Sequence, residues 1–125
     1  MMEFNNNKPI YRQIVDYCFG QILLGNWAAD QKIPSVRELS VVMGVNSHTV
    51  LKAYEFLQNE MIIAPRRGMG FYLAPDALKL VNAAQREEFF DTTLVDVYKD
   101  MCLLGISVDE LVDHLQLLAD QGSDA

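Results

Sequence analysis

Cysteine is scarce in this chain, with two residues in 125, Cys18 and Cys102. They lie far apart in helix-like segments, without CxxC spacing and without histidine partners. That excludes a disulfide framework and a zinc site and leaves two buried free thiols as the expectation. Long apolar runs are also missing, none approaching the roughly 20 residues that span a bilayer. The amino-terminal stretch Asn5-Asn6-Asn7-Lys8-Pro9 is polar and carries no signal-peptide pattern. These absences point to a cytoplasmic protein. No paired nucleophile and base, metal-ligand cluster or phosphate-cradling loop is present, so the reading is not an enzyme, with no cofactor and no metal.

Positive charge is in short supply as well, and the formal net charge is −7. The shortage is uneven. Residues 1–75 carry seven Lys/Arg against six acids, a balance of +1, whereas residues 76–125 carry three against eleven, a balance of −8. Such asymmetry predicts two parts with different tasks, a near-neutral module at 1–75 and an acidic segment at 76–125. What is present in ordinary amount is apolar surface, half of all residues, enough for a modest core.

A first helix is expected from Pro9, with Ile10, Ile14, Tyr17, Cys18 and Ile22 on one face and a stop at Gly25-Asn26. Lys32-Ile33 before Pro34 predicts a short extended pair. Ser35-Val36-Arg37-Glu38 matches a capping box for a short helix with Val36, Leu39, Val42 and Met43 inward, ended by Gly44 in a left-handed conformation. Asn46 or Ser47 caps a third helix whose inner face is Val50, Tyr54 and Leu57. Two β-prone runs follow, Met61–Ala64 and Phe71–Leu73, joined by Pro65-Arg66-Arg67-Gly68-Met69-Gly70. They predict a hairpin whose first strand is an edge or ends at Pro65.

From Asp76 the pattern is one long helix to a stop at Gly105, then a second helix capped by Ser107 with Glu110 and striped by Val108, Leu111, Val112, Leu115, Leu118 and Ala119. Gln121–Ala125 reads as a frayed tail. The fold class is mainly α with a small β-hairpin: a winged helix-turn-helix followed by a C-terminal two-helix arm.

In that architecture the second helix of the pair enters a major groove while the first braces it across the backbone. Ser40, Gly44 and Val50 supply the small residue, the turn glycine and the buried β-branched anchor. The exposed start of the third helix offers Asn46, Ser47, His48 and Thr49, with Lys52 one turn on as a phosphate partner. Arg37 can clamp the backbone or take a guanine edge bidentately. Arg66 and Arg67, on a loop that Gly68 and Gly70 allow close to DNA, have no evident packing role. Ser35 belongs with these residues but is a cap first, and Lys52 also reads as a surface lysine paired with Glu55. His114, among scattered acids, reads as a solvated face.

These residues resemble the GntR family of bacterial transcription regulators and, within it, the YtrA-like subfamily. The resemblance spans about residues 8–75, through Pro9-Ile10-Tyr11, Lys32-Ile33-Pro34-Ser35-Val36-Arg37-Glu38-Leu39, Met43-Gly44-Val45-Asn46, Thr49-Val50, Lys52-Ala53-Tyr54 and Arg66-Arg67-Gly68-Met69-Gly70-Phe71. It implies that Arg37, the helix start from Asn46 to Lys52 and the wing tip from Arg66 to Gly70 contact double-stranded operator DNA. Ser47-His48 departs from the proline-asparagine common in the subfamily, so the base preference does not carry over.

The fifty residues after the wing are too few for the metabolite-binding domain of most GntR proteins and resemble the subfamily's dimerisation arm. The residues themselves agree. Phe90, Leu94, Val97, Tyr98 and Met101, with Leu104, Leu111, Leu115 and Leu118, exceed what one helical hairpin can bury against itself, which marks a partner face. The expectation is a homodimer on a palindromic operator, most simply a repressor. Whether a small-molecule effector exists stays open; Trp27, Phe89, Phe90 and Tyr98 could line a pocket at the dimer interface. The near-neutral first half also fits a winged-helix protein-interaction module without DNA binding.

Overall fold

The computed structural model describes Phe4 and residues 8–122. Pro9 (φ −53°, ψ 148°) is the N-cap of α1 (Ile10–Leu23), which buries Gln13, Ile14, Val15, Cys18, Phe19 and Ile22. That face is broader than the spacing predicts, and Ile10, expected inward, is 46% exposed at the helix start. Gln13 is tolerated inside because its amide donates to the Lys8 carbonyl at 2.8 Å.

The capping box is present in both directions. Ser35 Oγ accepts from Glu38 N and the Glu38 carboxylate accepts from Ser35 N, each at 3.0 Å, opening α2 (Val36–Met43). Hydrogen bonding to its carboxylate, first from the Ser35 amide and then from the Ser35 side chain, aided by the charge of Lys32, holds the Glu38 carboxyl below its ordinary pKa. A depressed carboxyl stabilises the fold above its unfolded pKa and loses that contribution as pH falls through the folded value. The stability difference between wild type and Glu38→Gln, which keeps an amide acceptor, is therefore expected to stay constant above the ordinary glutamate range and to shrink below it. Urea melts from pH 7 to pH 3 measure it, and a difference independent of pH would remove Glu38 from the cap.

The residues of α2 that face inward are Leu39, Ser40 and Met43, with Val36 half-buried. Val42, expected inward, is 61% exposed. Gly44, at φ 68° and ψ 38°, turns the chain where a side chain would be strained. Asn46 then caps α3 (Ser47–Asn59), its Oδ1 accepting from His48 N at 2.8 Å. Val50, Ala53, Tyr54 and Leu57 of α3 are fully buried, and the helix packs on α1 and α2.

Met61 lies outside the strand in which the sequence places it. At φ 64° it ends the turn after α3, and β1 is Ile63–Arg66, running through Pro65 to pair with β2 (Gly70–Leu73). The register is Ile63↔Leu73, Ala64↔Tyr72, Pro65↔Phe71 and Arg66↔Gly70. Residues 30–33 line the other side of β2. Asp30 N donates to Leu73 O, Leu73 N to Gln31 O and Ile33 N to Phe71 O, all at 3.0 Å, and Lys32 bridges Tyr72. The expected extended pair is thus present as an edge segment beside β2, joined to it by a single β-bridge at Lys32 and not by a strand of its own.

Two compact units are formed, Met1–Ala84 and Gln85–Ala125. The boundary lies within α4 (Ala77–Glu88), whose Ala77 and Val81 join the winged core. The long helix expected beyond Asp76 is interrupted by a π-helical turn at Phe89–Thr93 before α5 (Leu94–Leu104). Gly105, at φ 70°, ends α5, and α6 (Val108–Gly122) opens with Ser107 Oγ accepting from Glu110 N at 3.1 Å. Gln121 belongs to α6, and the remaining residues assigned to the tail, 123–125, lie outside the described residues.

Cys18 is buried in the first unit, and loss of solvent pushes its thiol up to about 12. Cys102, expected buried, is exposed on α5. No helix of the described residues is long and apolar enough to cross a membrane, and none of their His, Cys, Asp and Glu side chains form a group that could hold a metal ion.

Candidate nucleic-acid interface

The exposed side chains at the start of α3 form the centre of the candidate surface. Asn46, Ser47 and His48 are exposed, Thr49 is half-buried, and Lys52 is exposed one turn on. Ser47 Oγ donates to Ser40 Oγ at 3.3 Å and Ser40 Oγ donates to the Arg37 carbonyl at 2.7 Å. These two hydroxyls tie the start of α3 to the start of α2 and fix the backbone from which Arg37 projects into solvent. The Lys52 ammonium lies 4.3 Å from the centroid of the Tyr11 ring on α1. Its neighbour is thus an aromatic face, and the alternative pairing with Glu55 is not formed among the described residues.

A second tie runs beneath the helices. The Tyr54 hydroxyl, buried on α3, donates to the Pro34 carbonyl at 2.6 Å, and its ring meets Phe71 of β2 edge-to-face at 5.3 Å. One side chain therefore joins the recognition-type helix, the residue before the α2 cap, and the wing. Burial keeps this phenol protonated far beyond the neutral range.

At the wing, Met69 N donates to Arg66 O at 2.8 Å and closes the tip around Arg67 and Gly68. Gly70 has φ +90°, which is why the turn takes glycine; a Cβ there would lie 3.2 Å from Lys32 Cε, which a small shift of that flexible side chain relieves. Arg66 does have a packing role, contrary to the sequence reading. Its guanidinium lies 3.8 Å from the Tyr72 ring centroid and 3.7 Å from Asp30. Arg37 and Arg67 make no ion pair or ring contact among the described residues. The residues that sequence reasoning missed, Asp30, Lys32, Tyr72 and Tyr11, are those that pair or stack across elements. Their only local signal was the extended Lys32-Ile33 pair.

In the second unit, Phe90, Leu94, Val95, Tyr98, Met101, Val108 and Leu111 line an open apolar groove of about 410 Å³. Met101 is 6% exposed at its floor, Val97 and Leu111 are half-buried, and Phe90, Leu94, Tyr98, Leu104, Leu115 and Leu118 are exposed. No residue of α6 is buried. Trp27 packs against the core of the first unit.

Residues 10–73 match the family model described as bacterial regulatory proteins, gntR family. The HTH-type transcriptional repressor YtrA of Bacillus subtilis is 40% identical over 111 residues, 89% of this chain and 85% of that protein. Among solved structures, a GntR family transcriptional regulator from Listeria monocytogenes has a TM-score of 0.76 at 31% identity, covering 90% of this chain and 97% of its own. The AraR DNA-binding domain in complex with operator ORX1 has a TM-score of 0.54 at 30% identity, covering 58% of this chain and 93% of its own.

Proposed function

Belonging to the gntR family of bacterial regulatory proteins, this chain is a helix-turn-helix transcriptional regulator, and we propose that it acts in the cytoplasm as a homodimeric repressor on a palindromic operator. The observation that carries the DNA-binding half is the shared framework of Arg37, the open start of α3 and the arginine wing, joined through Ser40, Tyr54 and residues 30–33. In this reading Asn46, Ser47, His48 and Thr49 face the major groove. Arg37 and Lys52 take phosphates or a base edge, and the tip from Arg66 through Gly68 to Gly70 follows the adjacent backbone or minor groove. Ser35 sets the start of α2 and, two residues before Arg37, shares a phosphate with it in this reading. The chain acts by occupying DNA rather than by catalysis. The solved AraR complex with its operator supports the DNA binding, and the repressor named YtrA supports repression.

Dimerisation through residues 76–125 follows from α6, an amphipathic helix that buries none of its own leucines. The −8 balance of that segment keeps it off DNA and confines phosphate attraction to the winged face. A two-fold pair would present its reading helices to half-sites about 34 Å or a multiple of it apart. Light scattering at micromolar concentration is expected to give twice the 14.2 kDa chain mass. Leu115→Glu with Leu118→Glu is expected to give the monomer and to weaken binding to a duplex selected from random sequence by the wild-type chain. A monomeric wild type that still binds a palindromic duplex with full affinity would overturn the dimer. A wild type with no salt-dependent DNA affinity would favour a protein-interaction module instead.

A further inference from the structure

The two wing arginines are adjacent in sequence but differently placed. Arg66 is the last paired residue of β1, opposite Gly70, and Tyr72 lies two residues further along β2 on the same face of the hairpin. That diagonal brings the Arg66 guanidinium to 3.8 Å from the Tyr72 ring centroid, and Asp30 meets its Nη2 at 3.7 Å. Asp30 reaches this position from a left-handed backbone (φ 61°), which carboxamide and carboxylate residues tolerate, while its own amide is bonded to Leu73 O. Arg67 lies past the last register pair, in the turn closed by Met69, and is exposed without an ion pair or ring contact among the described residues.

We infer that the wing divides its arginines: Arg67 is the cation that contacts DNA, and Arg66 is a positioning residue clamped by Tyr72 and Asp30. To turn toward a phosphate, Arg66 would have to give up its position on the Tyr72 ring or its contact with Asp30. Arg67 gives up only water. The clamp joins β1, β2 and the 30–33 segment at the base of the tip, so it sets where Arg67 is presented. This division rests on the wing-to-DNA contact proposed above.

The test is fluorescence anisotropy of the selected duplex between 50 and 250 mM salt, for wild type, Arg66→Met, Arg67→Met, Tyr72→Leu and Tyr72→Phe. Arg67→Met is expected to lower the slope of log affinity against log salt by about 1, the signature of one lost phosphate contact. Arg66→Met and Tyr72→Leu are expected to keep the wild-type slope, to weaken binding by a similar factor at every salt concentration, and to be no worse combined than singly. Tyr72→Phe, which keeps the ring, restores wild-type binding, and thermal melts confirm that each variant folds. Equal slopes for the two arginine variants, or a slope lost with Arg66 and kept without Arg67, overturn the division while leaving DNA binding intact. A wild type without salt-dependent binding overturns the division together with the reading beneath it.

Discussion

Tyr54→Ala is expected to cost about 3–5 kcal/mol, the range for removing a large buried aromatic. Against the total of about 5–15 kcal/mol for a domain, that is a large share. For a unit of this size it lowers the melting temperature by about 12 °C or more. The side chain is fully buried, contacts Phe71 edge-to-face and donates at 2.6 Å to Pro34. Tyr54→Phe separates the two contributions. It keeps the packing and leaves the Pro34 carbonyl without its donor, at a cost of about 1–3 kcal/mol. Because that carbonyl belongs to the residue before the α2 cap, the same variant should also weaken operator binding beyond what its stability loss explains. Urea melts at pH 7 measure the first effect, anisotropy at a temperature where both proteins are folded the second. A Tyr54→Phe protein as stable as wild type would show the hydroxyl to be idle.

Arg37→Ala is expected to reduce affinity for the selected duplex about 5- to 150-fold, corresponding to 1–3 kcal/mol for a good bidentate contact. The fold should be untouched, since the side chain is exposed and the Ser40 bond is to its backbone carbonyl, which alanine keeps. Arg37→Lys separates the kinds of contact, recovering most of the affinity if the partner is one phosphate and little if it is a guanine edge or a two-point clamp. Unchanged affinity in both variants would remove Arg37 from the interface.

Much of the winged unit is legible in single segments. The Ser35–Glu38 box, the Gly44 turn, the Asn46 cap and the Val50-Tyr54-Leu57 face are local patterns, each bonded or buried as its spacing predicts. Val42 misled because α2 has one contact face, and its row Val36, Leu39, Ser40 and Met43 recruits a serine where composition suggests a valine. Met61 misled because β-propensity does not register a left-handed turn at a residue with a side chain. The interruption at Phe89–Thr93 carries no glycine or proline to announce it.

The candidate site is legible as a set of residue types and not as an arrangement. That Arg66 rests on Tyr72 and Asp30 depends on the hairpin register and on a residue far upstream in sequence, neither of which short-range periodicity contains. Lys52 over Tyr11 is likewise a contact between helices. In the second unit the apolar stripe is evident from spacing, but the floor position of Met101 emerges only from the folded chain.

The segment at residues 30–33 is bonded to β2 on one side and runs directly into the α2 cap, so the wing and Arg37 are tied together by one short hydrogen-bonded stretch of chain. In the interface proposed above, neither contact could then move toward the DNA without the other. On that proposal the compliance needed for both to engage at once would come from the duplex, through the width of its minor groove and the ease of bending the steps between the two contacts. Two operators with identical contacted bases would then differ in affinity by how easily their untouched spacer deforms.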